Sequence, residues 1–126
     1  MTCFWDSILA SINQEDFQLF GEKKMNKQQF IQKLKDKNKV SDTLWQNQPL
    51  RNQEKKEHFE AIKEYNISGI RDGHLTSICD SFLLLICDLL KINIEHRFLN
   101  NVIKYNIPNA RKTLRFKSNK GHFSRL

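Results

Sequence analysis

The sequence has few of the residues that mark nonglobular, disulfide-linked or phosphate-binding proteins. Its 126 residues include only four Gly and two Pro, which excludes low-complexity and collagen-like chains. The three cysteines, Cys3, Cys79 and Cys87, are odd in number and widely spaced, which argues against a disulfide framework or a zinc site. The glycines form no phosphate-binding loop, and the four histidines lack metal-ligand spacing. We therefore expect no metal and no cofactor.

Long apolar runs are also missing. The longest, residues 82–90, is interrupted by Asp88 and is far shorter than the ~20 residues that a membrane span needs. The first twenty residues lack the basic and apolar regions of a signal peptide. We expect a single domain over residues 1–126 that works in the reducing cytoplasm without a membrane.

Acidic residues are absent from the C-terminal end of the chain. Residues 1–98 carry 14 basic and 14 acidic side chains, so the whole net charge of +7 falls in residues 99–126. This basic end predicts an anionic partner and favours a nucleic-acid-binding module as one interpretation of function. Its basic residues are Lys104, Arg111, Lys112, Arg115, Lys117, Lys120 and Arg125.

Apolar residues recur at helical spacing in four stretches of the chain. Asn26 followed by Gln29 resembles a capping box, and Asn52 is expected to cap a later helix. The last stretch has the widest apolar stripe, so it should form the most buried helix, with Phe82 packed under a sheet. The predicted helices cover residues 3–12, 27–39, 52–65 and 75–90.

The pattern then changes to the alternation that is typical of strands. Residues 92–98 alternate apolar and polar side chains, and residues 102–105 predict a second short strand. Residues 113–117 and 122–126 flank a turn and predict a β-hairpin. Residues 41–50 are predicted to form a turn or a small helix. Helices followed by a small, mostly antiparallel sheet indicate the α+β fold class.

A cysteine at the start of the first predicted helix and a histidine that opens the last strand are the candidates for catalysis. The N-terminus of a helix, where backbone N–H groups are free, favours the reactive thiolate form of a cysteine. A histidine on a facing strand can pair with that thiolate and later protonate a leaving amine. The alternative is that Cys3 is an ordinary thiol and His122 a hairpin residue. Cys79 and Cys87 fall on or near the apolar stripe and are predicted core residues.

The remaining aromatic and histidine side chains are predicted to serve packing rather than catalysis. Phe4, Trp5 and Trp45 are expected in the core or in the wall of a groove. His96 lies on the apolar side of its strand, so we expect it to be buried and hydrogen-bonded. His74 is expected to lie in a loop.

Three motifs resemble the OTU (ovarian tumour) family of cysteine proteases. Residues 3–8, Cys-Phe-Trp-Asp-Ser-Ile, resemble the opening motif, in which the nucleophilic Cys begins the central helix. Residues 73–94 resemble the family's Gly, apolar helix and strand of the form I-x-I/V. Residues 120–124, Lys-Gly-His-Phe-Ser, resemble the closing motif that carries the catalytic His. The separation of Cys3 from His122 fits the family's range.

This resemblance implies a papain-like fold and a deubiquitinase that cleaves after the C-terminus of ubiquitin or a ubiquitin-like protein. Cys3 would be the nucleophile and His122 its general base and acid, and polyprotein processing would use the same chemistry. Ser124 stands where the family has Asn or Asp, which makes it the third catalytic residue. The family's Asp three residues before the Cys would precede Met1, so the oxyanion hole is expected to use Cys3 N–H with Thr2.

Two other functions stay open at this point. One is the basic nucleic-acid-binding module, with Tyr105, Phe116 and Phe123 as its interleaved aromatic residues. The other is a catalytically inactive OTU-like interaction protein, which the missing Asp before the Cys favours. Lys, Asn and Ile make up 39 of the 126 residues. This bias suits an AT-rich viral genome and hence the host cytoplasm, since some viral members of the family are similarly small.

Overall fold

The computed structural model describes residues 3–19, 25–66, 77–119 and 122–125, and at residues 3, 77–79, 119 and 122–125 it describes the backbone alone. Within these residues the chain forms five helices followed mostly by strands, in agreement with the α+β class. The helices are α1 (Cys3–Ser11), α2 (Gln14–Gln18), α3 (Lys27–Asp36), α4 (Asn52–Glu64) and α5 (Ser77–Leu90). The strands are β1 (Leu44–Trp45), β2 (Asn93–Phe98), β3 (Asn101–Asn106), β4 (Thr113–Asn119) and β5 (His122–Arg125).

Local capping explains where several helices begin. Asn26 and Gln29 form the predicted capping box at α3, with each side chain accepting a hydrogen bond from the other residue's backbone N–H. The N-cap of α4 is Arg51 rather than the predicted Asn52, because the Glu54 carboxylate accepts the Arg51 backbone N–H at 3.1 Å. Helix α3 ends at Asp36, three residues before the predicted end.

The sheet is mixed and has the strand order β1-β3-β2-β4-β5. β2 and β4 run parallel at its centre, whereas the other three neighbouring pairs are antiparallel. The connection from β3 to β4 crosses the start of β2, where Arg111 N–H donates to Lys91 O at 2.8 Å. The predicted hairpin of β4 and β5 is confirmed, with β4 running two residues further than expected.

Residues 41–50 do not form the predicted turn or helix alone. They contribute the short strand β1, in which Trp45 pairs with Tyr105 of β3. A tight turn follows, in which Gln46 and Asn47 take positive φ angles of 52° and 64° and Gln48 N–H donates to Trp45 O. The predicted turn is therefore present, and the strand was missed because a two-residue strand is stabilised by its distant partner and has no periodic pattern of its own.

The core lies between the helices and one face of the sheet. Phe82 on α5 is fully buried, as predicted, and α5 packs on β2 and β3. Residues 75 and 76, the start of the predicted helix, lie outside the described residues. Helix α2 was not predicted, because five residues are too few to show a helical period.

Candidate active site

The residues after Cys3 hold the start of α1 in the core. Phe4 and Trp5 are 2% and 1% exposed. The Trp5 ring lies edge-on to Phe82 of α5 at a centroid separation of 4.7 Å and to Phe30 of α3 at 6.2 Å. Phe4 and Trp5 are therefore core residues, as predicted. This packing holds the backbone at Cys3 in a defined position relative to the neighbouring helices.

Helix α1 contacts β5, the edge strand that begins at His122. In the antiparallel pair of β5 with β4, His122 lies opposite Asn119 and Ser124 lies opposite Lys117. The side chains of Cys3, His122 and Ser124 lie outside the part of the chain whose side chains are described. The distance between the Cys3 sulfur and the His122 ring therefore stays a prediction.

The register of β5 defines the sheet face on which each of its positions falls. Paired positions of neighbouring antiparallel strands share a face, so positions 122 and 124 fall on the face of exposed Lys117. Positions 123 and 125 fall on the face of Phe116, which is buried in the same core as α1. Position 122 therefore falls on the sheet face opposite the core in which α1 packs, and no described strand lies beyond β5 at this edge of the sheet.

The described thiol elsewhere in the chain is closed to solvent. Cys87 is fully buried on α5, and its sulfur lies 3.8 Å from the carbonyl oxygen of Tyr105. Burial and the neighbouring Asp88 carboxylate raise the pKa of the Cys87 thiol well above its usual range. The predicted core role of Cys87 is thus confirmed, whereas the side chain of Cys79 lies outside the description.

The described histidine of the sheet also has a structural position. His96 is 8% exposed, and its Nε2 lies 2.6 Å from the Ser118 hydroxyl on the neighbouring strand β4. This confirms the predicted buried, hydrogen-bonded histidine. His74 lies outside the described residues.

A polar cluster between α4, α5 and β3 was missed by sequence reasoning. His58 Nδ1 lies 2.7 Å from Ser81 Oγ, and the Tyr105 hydroxyl donates to Asp80 at 2.5 Å. Burial raises the pKa of Asp80 against the effect of the Tyr105 hydrogen bond, and burial lowers the pKa of His58 against the attraction of nearby carboxylates. In the sequence, the polar pair Asp80-Ser81 within an apolar run was the feature that could have indicated this cluster.

This cluster joins helices α4 and α5. Ser81 is 3% exposed, so its hydroxyl is closed to a substrate carbonyl that arrives from solvent. Its contact with half-buried His58 instead connects α4 to α5.

Part of the predicted basic end is neutralised inside the protein. Fully buried Asp16 of α2 accepts hydrogen bonds from Arg111 at 2.6 Å and Lys112 at 2.8 Å. Burial opposes ionisation of Asp16, but these bonds and the Asn13 N–H together hold the pKa of this carboxyl below its usual value. Arg111 and Lys112 are consequently both paired with Asp16, whose single negative charge offsets one of their two positive charges.

Comparisons with family models, with curated proteins and with solved structures find no match to this chain. In the described part of the chain, no group of His, Cys, Asp and Glu side chains could hold a metal ion. None of the described helices is long and apolar enough to cross a membrane. The candidate site thus depends on the sequence motifs and on the contact between α1 and β5.

Proposed function

We propose that the protein is a cysteine protease with an OTU-type fold that cleaves peptide or isopeptide bonds after the C-terminus of ubiquitin or a ubiquitin-like protein. The observation that carries this proposal is the contact between α1, which begins at Cys3, and β5, which begins at His122. Papain-like catalysis needs a thiol at a helix N-terminus and an imidazole on an adjacent strand. The reducing cytoplasm, of a host cell if the source is viral, would keep Cys3 as a thiol.

The electrostatics of α1 support a thiolate at its first residue. Helix α1 has nine residues, and the free N–H groups of its first turn and the positive end of its dipole lie at the Cys3 end. Asp6, the acidic residue of the first turn, is paired with Lys27 at 3.0 Å, which partly offsets its negative charge at the start of α1.

The proposed reaction forms and breaks one acyl bond in each of two steps. The Cys3 thiolate attacks the carbonyl carbon, and the C–N bond then breaks as His122 gives its proton to the leaving amine. The resulting thioester is attacked by water, which passes a proton to His122 and releases the carboxylate and the thiol. Ser124 would orient the imidazole by accepting a ring N–H.

A ubiquitin probe with a C-terminal propargylamide tests the proposal directly, because it forms a covalent bond only with a reactive cysteine placed at the end of the ubiquitin tail. We expect an adduct with the wild-type chain and none with Cys3→Ala. Cys79→Ala removes a thiol from α5 without changing α1 and should leave the adduct intact.

A folded wild-type protein that reacts with neither ubiquitin nor ubiquitin-like probes would refute the protease proposal. If that protein still bound immobilised ubiquitin, an inactive interaction protein would be the better interpretation. An adduct that survives Cys3→Ala would show that the nucleophile was assigned wrongly.

A further inference from the structure

One face of the sheet has no helix packed on it among the described elements. The helices cover the opposite face, where Ile94, Tyr105 and Phe116 are fully buried. Residues alternate between the two faces along each strand, so the positions between these buried residues face away from the helices. The charged residues of this open face are Glu95, Arg97, Lys104, Arg115 and Lys117, and we call it the basic sheet face.

The strand register arranges these charges in two neighbouring rows. Glu95 lies between Lys104 and Arg115 in one row, and Arg97 lies beside Lys117 in the next. Neighbouring strands are about 4.8 Å apart, and the rows are about 7 Å apart along the strands.

Most of the positive charge on this face is open to solvent. The four cations are exposed, and Arg115 contacts Glu95 at 3.5 Å with 59% of its own side chain still exposed. Arg97, Lys104 and Lys117 form no ion pair with a described acid. The face therefore carries a net charge of +3 that no described residue covers.

We propose that the basic sheet face binds the phosphate backbone of a nucleic acid without sequence preference. A backbone that repeats one negative charge per nucleotide can meet cations that recur across and along the strands. The guanidinium groups of Arg97 and Arg115 suit bidentate contact with phosphate. The described face offers no aromatic side chain on which a base could stack, so the backbone supplies the binding energy. This surface includes Arg97 and excludes Arg111 and Lys112, unlike the basic end defined by sequence alone.

Fluorescence anisotropy with labelled DNA of two unrelated sequences, each single-stranded and double-stranded, tests the proposal. We expect similar affinity for the two sequences and a linear fall of log affinity with log salt between about 50 and 200 mM. The double variant Arg97→Gln/Lys117→Gln should weaken binding by about tenfold or more and reduce the salt slope by roughly 1.4 to 1.8, the value for two lost phosphate contacts.

The matched control is Lys56→Gln/Lys63→Gln, which removes the same charge from the exposed side of α4. It should change affinity by no more than about twofold, since these residues lie away from the sheet. An equal loss in the control would show that net charge alone attracts DNA and would overturn the proposal.

Two other results would also overturn it: no binding at about 50 mM salt, or competition by polyglutamate as effective as competition by unlabelled DNA. The binding measurement requires no protease activity. Its failure and the failure of the ubiquitin probe are therefore separate results.

Discussion

Replacing Asp16 measures how much one buried carboxylate contributes to joining α2 to the connection before β4. The carboxylate accepts hydrogen bonds from Arg111 at 2.6 Å, Lys112 at 2.8 Å and the Asn13 backbone N–H at 2.9 Å. Each charge-assisted bond contributes about 1.5–3 kcal/mol. The two cations are 33% and 29% exposed, so they regain water when the carboxylate is removed. We therefore expect Asp16→Ala to lower the free energy of unfolding by about 3 kcal/mol, the low end for a broken buried ion pair.

The variant Asp16→Asn separates charge from hydrogen bonding. Its amide oxygen can still accept the Asn13 N–H, so it should cost roughly half as much as Asp16→Ala. The pKa of Asp16 is held below its usual 3.8, because hydrogen bonds from Arg111, Lys112 and Asn13 outweigh burial. The stability advantage of the wild type over Asp16→Asn should thus be complete above about pH 4 and disappear as the pH falls through the lower folded pKa.

Urea unfolding followed by circular dichroism, at pH 7 and in steps from about pH 5 to 3, gives these free energies. The control Asp42→Asn removes a carboxylate that is 80% exposed and 3.5 Å from Lys55, and it should cost less than about 1 kcal/mol. The reasoning fails if Asp16→Ala costs no more than this control, or if the advantage over Asp16→Asn persists unchanged in acid.

Three further predictions concern the core, the polar cluster and the catalytic residues. Phe82→Ala should lower the free energy of unfolding by about 3–5 kcal/mol, whereas Leu19→Ala should change it little because Leu19 is 49% exposed. If urea unfolding gave similar losses for the two variants, it would contradict the packing described. Because burial holds the pKa of His58 below 6.5, its contribution to stability is present above that pH and is lost as the pH falls through the folded pKa. His58→Gln should therefore flatten the pH dependence of stability below about pH 6.5, and an unchanged profile would argue against it. In cleavage of a fluorogenic ubiquitin substrate, His122→Ala should remove nearly all activity. Ser124→Ala should lower the activity by about tenfold, since a hydroxyl stabilises imidazolium less than a carboxylate does. Full activity of His122→Ala would show that the closing motif was misassigned.

The features that could be predicted depend on neighbours two to four positions apart along the chain. The Asn26 capping box, the burial of Phe82 and the burial of His96 follow from such spacings and were predicted. The capping box that Asn13 forms at α2 was missed, because a five-residue helix is too short to show the apolar period that would indicate a helix. The candidate site was defined by motifs, and its helix and strand are in contact.

Contacts between distant residues settled the features that no local pattern could predict. Asp16 meets Arg111 and Lys112 across 95 and 96 positions of chain, so the basic end could not be divided into engaged and open cations beforehand. The same holds for the parallel pairing of β2 with β4, which follows from a connection that crosses the start of β2. Helical and strand periods show which side of an element is apolar. The partner of that side depends on how the whole chain packs, because burial and ion pairing are interactions through space.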